Sequence, residues 1–330
     1  MYVKDLKRGT NPAEKGGRPK DLFEMGSNLI SSLSLSLESY AEMLIYLKLL
    51  LTAIFWGGTF VAGRSLAQNV GPFSAAFFRF AIASLFLVFL TWRSEGKFSV
   101  LKQRQILPVL LLGLTGVFCY NLFFFKGLKL IEASRAAIII ANNPIFIALF
   151  SAVFFKEKLN SLKITGILIS VTGAIIVISR GNLLEILQGN LGLGEFYIFL
   201  CVLSWVIFSL LGKTVMADLS PLSSVTYSAL TGTILLFVPA LREGLADCIY
   251  YSVSDWWNIF YLGFFGTVLG FVWFYEGINQ IGPTRAGLFI NFVPISAILL
   301  AFLILGEPLT LSLLIGTLLV SAGVYLTNRP

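Results

Sequence analysis

From residue 44 to residue 327 the chain is a succession of ten apolar runs, at about 44–67, 72–92, 106–126, 134–155, 161–179, 194–213, 221–241, 257–278, 284–305 and 310–327. Each has about the 17–25 residues that an α-helix needs to cross a hydrocarbon core. Composition agrees, with 57% of residues hydrophobic and 12% charged. Soluble domains sit nearer 45–50% and about 25%. A chain this apolar lacks the polar surface to face water all round, so its solvent is largely lipid. The expected fold class is therefore an all-α integral membrane protein with ten transmembrane helices.

The second half repeats the first. Residues 112–173 fall on 262–323 without a gap, bringing Gly113 onto Gly263, Gly127 onto Gly277, Arg135 onto Arg285, Pro144 onto Pro294, Glu157 onto Glu307 and Gly173 onto Gly323. One residue closer, Trp56 meets Trp205, Gly63 meets Gly212, Arg64 meets Lys213 and Pro72 meets Pro221. Five spans per copy is an odd number, so the sixth span starts on the side opposite the first and the copies are inverted. Secondary transporters use inverted repeats to build two gates around one site. The boundaries predicted are 1–43 for a disordered cytoplasmic tail, 44–180 for the first repeat and 190–328 for the second.

Charge gives an orientation. With the N-terminus cytoplasmic, the inner segments carry 16 of the 24 cations, including Arg93, Lys97, Lys102, Arg104, Lys156, Lys158 and Lys163; the outer set is Arg64, Lys126, Lys129, Arg135, Arg180 and Arg242. The bias places both termini inside. The 2–3 and 4–5 connections hold seven cations, whereas their second-copy equivalents hold only Arg242. Matching sequence with opposed charge is what antiparallel copies require.

The net charge of +7 lies in loops and a tail beside apolar runs. It sets topology and does not suggest nucleic acid. Histidine is absent, and Cys119, Cys201 and Cys248 form no metal spacing. No cofactor or metal is expected. Gly212-Lys213-Thr214 mimics the end of a phosphate loop, but Ile207 stands where that motif needs glycine. There is no GxSxG and no HExxH. An integral-membrane enzyme would need a convergent acid, nucleophile or metal set that this chain does not supply, so no enzymatic activity is expected.

Family resemblance becomes visible in spans 4–5 and 9–10. The run from Gly127 through Arg135 to Ala136, then Asn143-Pro144-Ile145-Phe146, Glu157-Lys158-Leu159, Gly166 and Gly173 resembles the EamA domain. So does the run from Gly277 through Arg285 to Ala286, then Val293-Pro294, Gly306-Glu307-Pro308-Leu309, Gly316 and Gly323. Two such domains are similar to the drug/metabolite transporter superfamily. That resemblance implies a bacterial cytoplasmic-membrane permease for small metabolites, often an exporter of amino acids or related solutes. It also implies a central cavity lined by most spans, with spans 5 and 10 peripheral.

Candidate site residues follow from the cost of polar groups in lipid. A charge at a helix centre costs about 2.5–3.5 kcal/mol on an insertion scale, so intramembrane ions face a cavity or a partner. Arg79, about two turns into span 2, either contacts a substrate anion or holds neighbouring carbonyls or an acid. Lys126 and Glu276 occupy equivalent positions near span ends. Both can snorkel to water, or Glu276 can serve a coupling proton or a substrate amine. Glu157 and Glu307 sit just before the next helix, whose positive N-terminal end favours an acid. Asn142, Asn143 and Asn291 precede Pro144 and Pro294, where a break exposes carbonyls to a cavity or an interhelical hydrogen bond holds a kink. Trp56, Trp205, Tyr120, Asn121, Phe124, Tyr227, Trp273 and Tyr275 are candidates for an aromatic wall, against the alternative of ordinary packing. Gly266 and Gly270 suggest close helix contact.

The expected function is a secondary transporter of small metabolites working by alternating access, with Pro144 and Pro294 as paired bending points. No ATP-binding motif is present, so the energy is expected from a proton or counter-solute gradient or from a separate subunit. The expected partners are the lipid bilayer and a small-molecule metabolite, and a homodimer stays open. A non-transporting membrane sensor or scaffold is the alternative.

Overall fold

The protein's structure, a computed structural model, describes residues 19–96, 100–154, 156, 159–182, 192–215 and 219–328, with side chains from Met43 onward except those of 213–215 and 283–284. Among these residues nine helices are long and apolar enough to cross a membrane. They are α1 (Met43–Asn69), α2 (Pro72–Glu95), α3 (Gln103–Leu130), α4 (Ala133–Phe154), α5 (Ser161–Ile178), α6 (Leu193–Gly212), α7 (Pro221–Glu243), α8 (Val253–Ile281) and α9 (Arg285–Leu305). A shorter apolar helix, α10 (Leu311–Thr327), completes ten. No strand occurs among the described residues. Contacts divide residues 1–44 from residues 45–330. In the first, helical backbone starts at Pro19, inside the stretch expected to lack structure. Proline suits a first helical turn, and Gly26 is the only glycine between it and Gly57.

Local chemistry sets the helix ends. Pro72 and Pro221 open α2 and α7, where the missing N–H costs nothing. Gly96 and Gly244 close them at φ 71° and 107°, a conformation that side chains resist. The hydroxyl of Thr310 accepts from Leu313 N, and Asn160 caps α5 through Lys163 N. Pro283 starts the helical turn that leads into α9.

The inversion is visible in the packing. Gly127 of α3 faces Ile198 of α6, so that a Cβ on it would stand 2.5 Å from Ile198 Cδ1. The equivalent Gly277 of α8 faces Leu49 of α1 at 2.6 Å, and Leu49 aligns with Ile198. Between α5 and α10 the symmetry is direct. A Cβ on Gly173 would lie 2.8 Å from the Gly316 carbonyl oxygen, and one on Gly316 2.8 Å from that of Gly173. Gly166 and Gly323 oppose each other in the same way. Contact pairs that map onto each other with the helices reversed are what an antiparallel duplication produces. On the pseudo-axis Ser84 of α2 meets its own equivalent, Thr233 of α7, at 3.2 Å.

Surface and interior are exchanged relative to a soluble domain. Leu85, Ile234, Leu303 and Leu318 are each at least 70% exposed, and in lipid that exposure carries no hydrophobic penalty. The buried set includes Arg79, Asn121, Asn142 and Ser170. Polar groups buried this way need partners, and most have them.

Candidate functional site

Helices α3 and α8 are not regular α-helix throughout. Gly113–Cys119 and Tyr261–Leu269 are π-helical and occupy equivalent places in the two repeats. Such turns widen the helix and free carbonyls, and they recur at functional sites. In α8 the widened turn lets the Thr267 hydroxyl donate to Leu262 O, five residues back, at 2.9 Å. It also leaves Gly266 O to accept from Trp56 Nε1 at 3.0 Å.

Arg79 sits between these two helices. Its Nη1 donates to Asn121 Oδ1 at 2.9 Å, while Nε and Nη2 both reach Thr267 Oγ1 at 3.3 Å. Asn121 Nδ2 donates to Val117 O at 2.8 Å, which turns its oxygen toward the arginine. The guanidinium also lies 5.3 Å from the Phe80 ring, within cation–π range. No ion pair joins Arg79 to a carboxylate among the described residues. The guanidinium is thus anchored by neutral groups, with no carboxylate among the described residues to offset its charge.

A cavity of about 430 Å³ opens beside Arg79. All helices but α5 contribute to it, from Trp56 on α1 to Val320, Ser321 and Val324 on α10. The expectation of a peripheral tenth span therefore needs correction. α10 packs against α5 through glycines, and its other side closes the cavity. Arg79 is the only charged side chain lining the cavity among the described residues.

Ten of the fourteen site residues expected from sequence line this cavity: Trp56, Arg79, Tyr120, Asn121, Asn143, Pro144, Trp205, Tyr275, Asn291 and Pro294. The other four do not. Asn142 is buried, donates to Ile138 O at 2.9 Å and accepts from Ser170 Oγ at 2.8 Å, which ties the break in α4 to α5. Tyr227 packs with Val109, Leu112 and Leu219. Trp273 stands 5.7 Å, ring to ring, from Phe55. Glu276 pairs with Lys48 at 2.7 Å. At about 100° per residue, Ser224, Val225, Ser228 and Ala229 turn inward and carry Tyr227 away; Phe271, Phe274 and Tyr275 do the same to Trp273. Phe124 is core, packed on Phe60 and Tyr120. Thr59, Thr267, Ser224 and Ser321 also line the cavity. Single hydroxyls in apolar runs gave no sequence signal of their own.

The two prolines mark real breaks. Helix α4 stops at Ile140 and resumes at Asn143. In α9 a 3-10 turn, Phe289–Asn291, precedes the helix of Pro294. Proline has no N–H to give the carbonyl four residues back, and its ring clashes there. Those carbonyls belong to Ile140 and Ile290, both at the cavity wall.

Polar links between the repeats gather at the helix ends. Face A carries the connections 1–2, 3–4, 5–6, 7–8 and 9–10. There Asp255 accepts from Asn69, Glu243 from Ser74 N, and Glu195 pairs with Arg135 at 3.0 Å. Glu307 accepts from Ala133 N and from both Ser134 N and its hydroxyl. The acid expected to serve its own following helix instead caps α4 of the other repeat, because the 9–10 turn lies against that N-terminus. Glu157, its equivalent, lies outside the described residues. On the opposite face B are the Lys48–Glu276 pair and Glu95, which accepts from the Ser223 hydroxyl at 2.8 Å. Lys126 and Tyr197 align with Glu276 and Lys48. They form a cation–π contact at 5.5 Å where the other copy has an ion pair. Neither Lys126 nor Glu276 is left only to water.

An EamA-like transporter family model matches residues 43–179 and again 192–329. The chain belongs to the EamA-like transporter family. It is an integral membrane protein and, in that general sense, a transporter. Relatives agree along nearly the whole length. An uncharacterized transporter of Bacillus subtilis, YyaM, is 29% identical over 281 residues, covering 85% of this chain and 92% of its own. A probable terminal-alkyne amino-acid exporter of Streptantibioticus cattleyicolor is 26% identical, again over 85% and 92%. One crystal structure matches with a TM-score of 0.59 at 20% identity, covering 86% of this chain and 96% of that one. It is alike in fold.

Proposed function

We propose that this EamA-family protein is a secondary transporter that exposes its cavity alternately to the two sides of a bacterial cytoplasmic membrane. Its substrates are small carboxylate-bearing metabolites, amino acids and related solutes among them, and it works in the export direction. The observation that carries the reading is one cavity at the junction of two inverted repeats, holding a cation with no acidic partner. The loop charges make face B cytoplasmic. Helices α6, α7 and α9 line the cavity with their face-B turns, Ser209 and Gly212, Ser224 and Val225, Ile290 and Asn291. The cavity then lies toward the cytoplasm, with face A drawn shut by the links at Asp255, Glu243, Glu195 and Glu307. Export is in line with the exporter named among the relatives. A proton or counter-solute gradient drives it.

Cross-linking tests this reading. In a background lacking Cys119, Cys201 and Cys248, cysteines at Asn69 and Asp255 tie face A, and cysteines at Lys48 and Glu276 tie face B. Counterflow of radiolabelled amino acids and their 2-hydroxy analogues in proteoliposomes should stop with either bridge and return on reduction. Undiminished flux through fully bridged protein would sink alternating access.

A further inference from the structure

Three buried polar atoms of the cavity wall have no protein partner: Asn143 Oδ1, Ser224 Oγ and Ser321 Oγ. Buried polar atoms are nearly always satisfied, so each of these is an unmet hydrogen-bonding group on a residue of the cavity wall. They join the uncompensated Arg79 guanidinium in a chamber with no acidic lining residue among the described ones. Trp56, Tyr120, Trp205, Phe271, Phe274 and Tyr275 supply ring faces along the remaining wall.

From this we infer that the site takes a monoanionic, amphipathic solute: one carboxylate-type anion at Arg79, an uncharged hydroxyl or amide donor at the free acceptors, and an apolar body against the rings. A cationic amine does not belong to this class. The inference rests on the transporter reading and narrows its substrates. A protonated amine entering beside Arg79 would lose its water and meet a like charge, with no carboxylate to offset either cost. The anion gains a charge-assisted bond, since the guanidinium holds only neutral oxygens. A neutral hydroxyl satisfies an orphan acceptor without adding charge. The cavity volume lies within the range of small-molecule pockets, and a ring-bearing acid fits it.

Three compounds on one carbon skeleton separate the possibilities. They are phenyllactate (anion with hydroxyl), phenylalanine (zwitterion) and phenethylamine (cation). Their binding is measured on the purified full-length protein by tryptophan fluorescence and thermal shift, without any requirement for flux. Phenyllactate should bind at least about tenfold more tightly than phenylalanine, and phenethylamine should not saturate. Raising the pH toward the amine's own pKa should narrow the gap between the first two, because phenylalanine then arrives as an anion. Arg79→Gln should lose at least about tenfold in phenyllactate affinity, with Arg79→Lys retaining part of it. Equal or tighter binding of phenylalanine, no saturable binding of phenyllactate, or an unaffected Arg79→Gln would each overturn the inference. If Arg79→Gln fails to fold, the ranking of the three compounds on the unaltered protein still decides. If phenylalanine binds as well as or better than phenyllactate, the substrate class falls while amino-acid counterflow still runs the cross-linking test, so the substrate class and the transport reading are told apart.

Discussion

At the scale of single residues, charge inside the membrane was the most legible signal, and its partner the least. Arg79 was conspicuous because so few ions lie within the spans, and it does line the cavity. Its partners, Asn121 and Thr267, lie 42 and 188 residues away, and no local pattern joins them. Glu276 illustrates the reverse. As an acid near a span end it could snorkel to water or serve a coupling proton or a substrate amine, yet it meets Lys48, half-buried, at 2.7 Å. A pair this exposed contributes about 1 kcal/mol or less. Glu276→Gln is expected to lower the melting temperature slightly, and adding Lys48→Met should recover most of the loss in a double-mutant cycle. Phenyllactate binding should be unchanged in both. A binding loss at Glu276→Gln would return that residue to the site.

Packing between elements depends on where glycine replaces a side chain. The stripe Gly166, Gly173, Gly316 and Gly323 was legible as a repeat. Its role in pressing α5 onto α10 required the antiparallel register that brings Gly173 opposite Gly316. Close approach of small residues is a main source of helix association in lipid. Gly173→Val should therefore cost about 1–3 kcal/mol through overpacking, read as a lower melting temperature in detergent. Gly287→Ala should cost nothing, since no atom lies within 4 Å of the added carbon. Glu307 makes a second link of this kind. Its carboxylate satisfies two backbone N–H groups at the start of α4, a position worth up to ~2 kcal/mol when partly buried. Glu307→Gln should destabilise by about 1–2 kcal/mol, and an unchanged melting temperature would count against the cap.

For the whole molecule the question is orientation. The topology proposed from the loop cations has face A outside; the 7–8 connection there contains Cys248, which is half-buried, whereas Cys201 is buried within α6. A membrane-impermeant maleimide applied to intact bacterial cells should label Cys248 and spare Cys201. Labelling of Cys248 only after the cells are broken would reverse the topology and make the cavity face outward.

Sequence by itself determined the ten spans, the duplication and the inversion. Apolar length, a fixed offset and an odd span count are local or countable properties, and lipid leaves the backbone no choice but helix. It also marked Pro144 and Pro294, because a proline inside a span removes an N–H from the helical ladder. Tertiary structure decided the rest. Which side of α7 and α8 faces the cavity, and so excludes Tyr227 and Trp273, depends on helix rotation, and these helices carry apolar residues all round. The partners of Lys48 and Glu307, and Thr267 of the two that hold Arg79, come from the other repeat and follow from how the inverted copies interlock. The same interlocking leaves Arg79 without an acid among the described residues, and the proposed anionic substrate rests on that uncompensated charge more than on any motif.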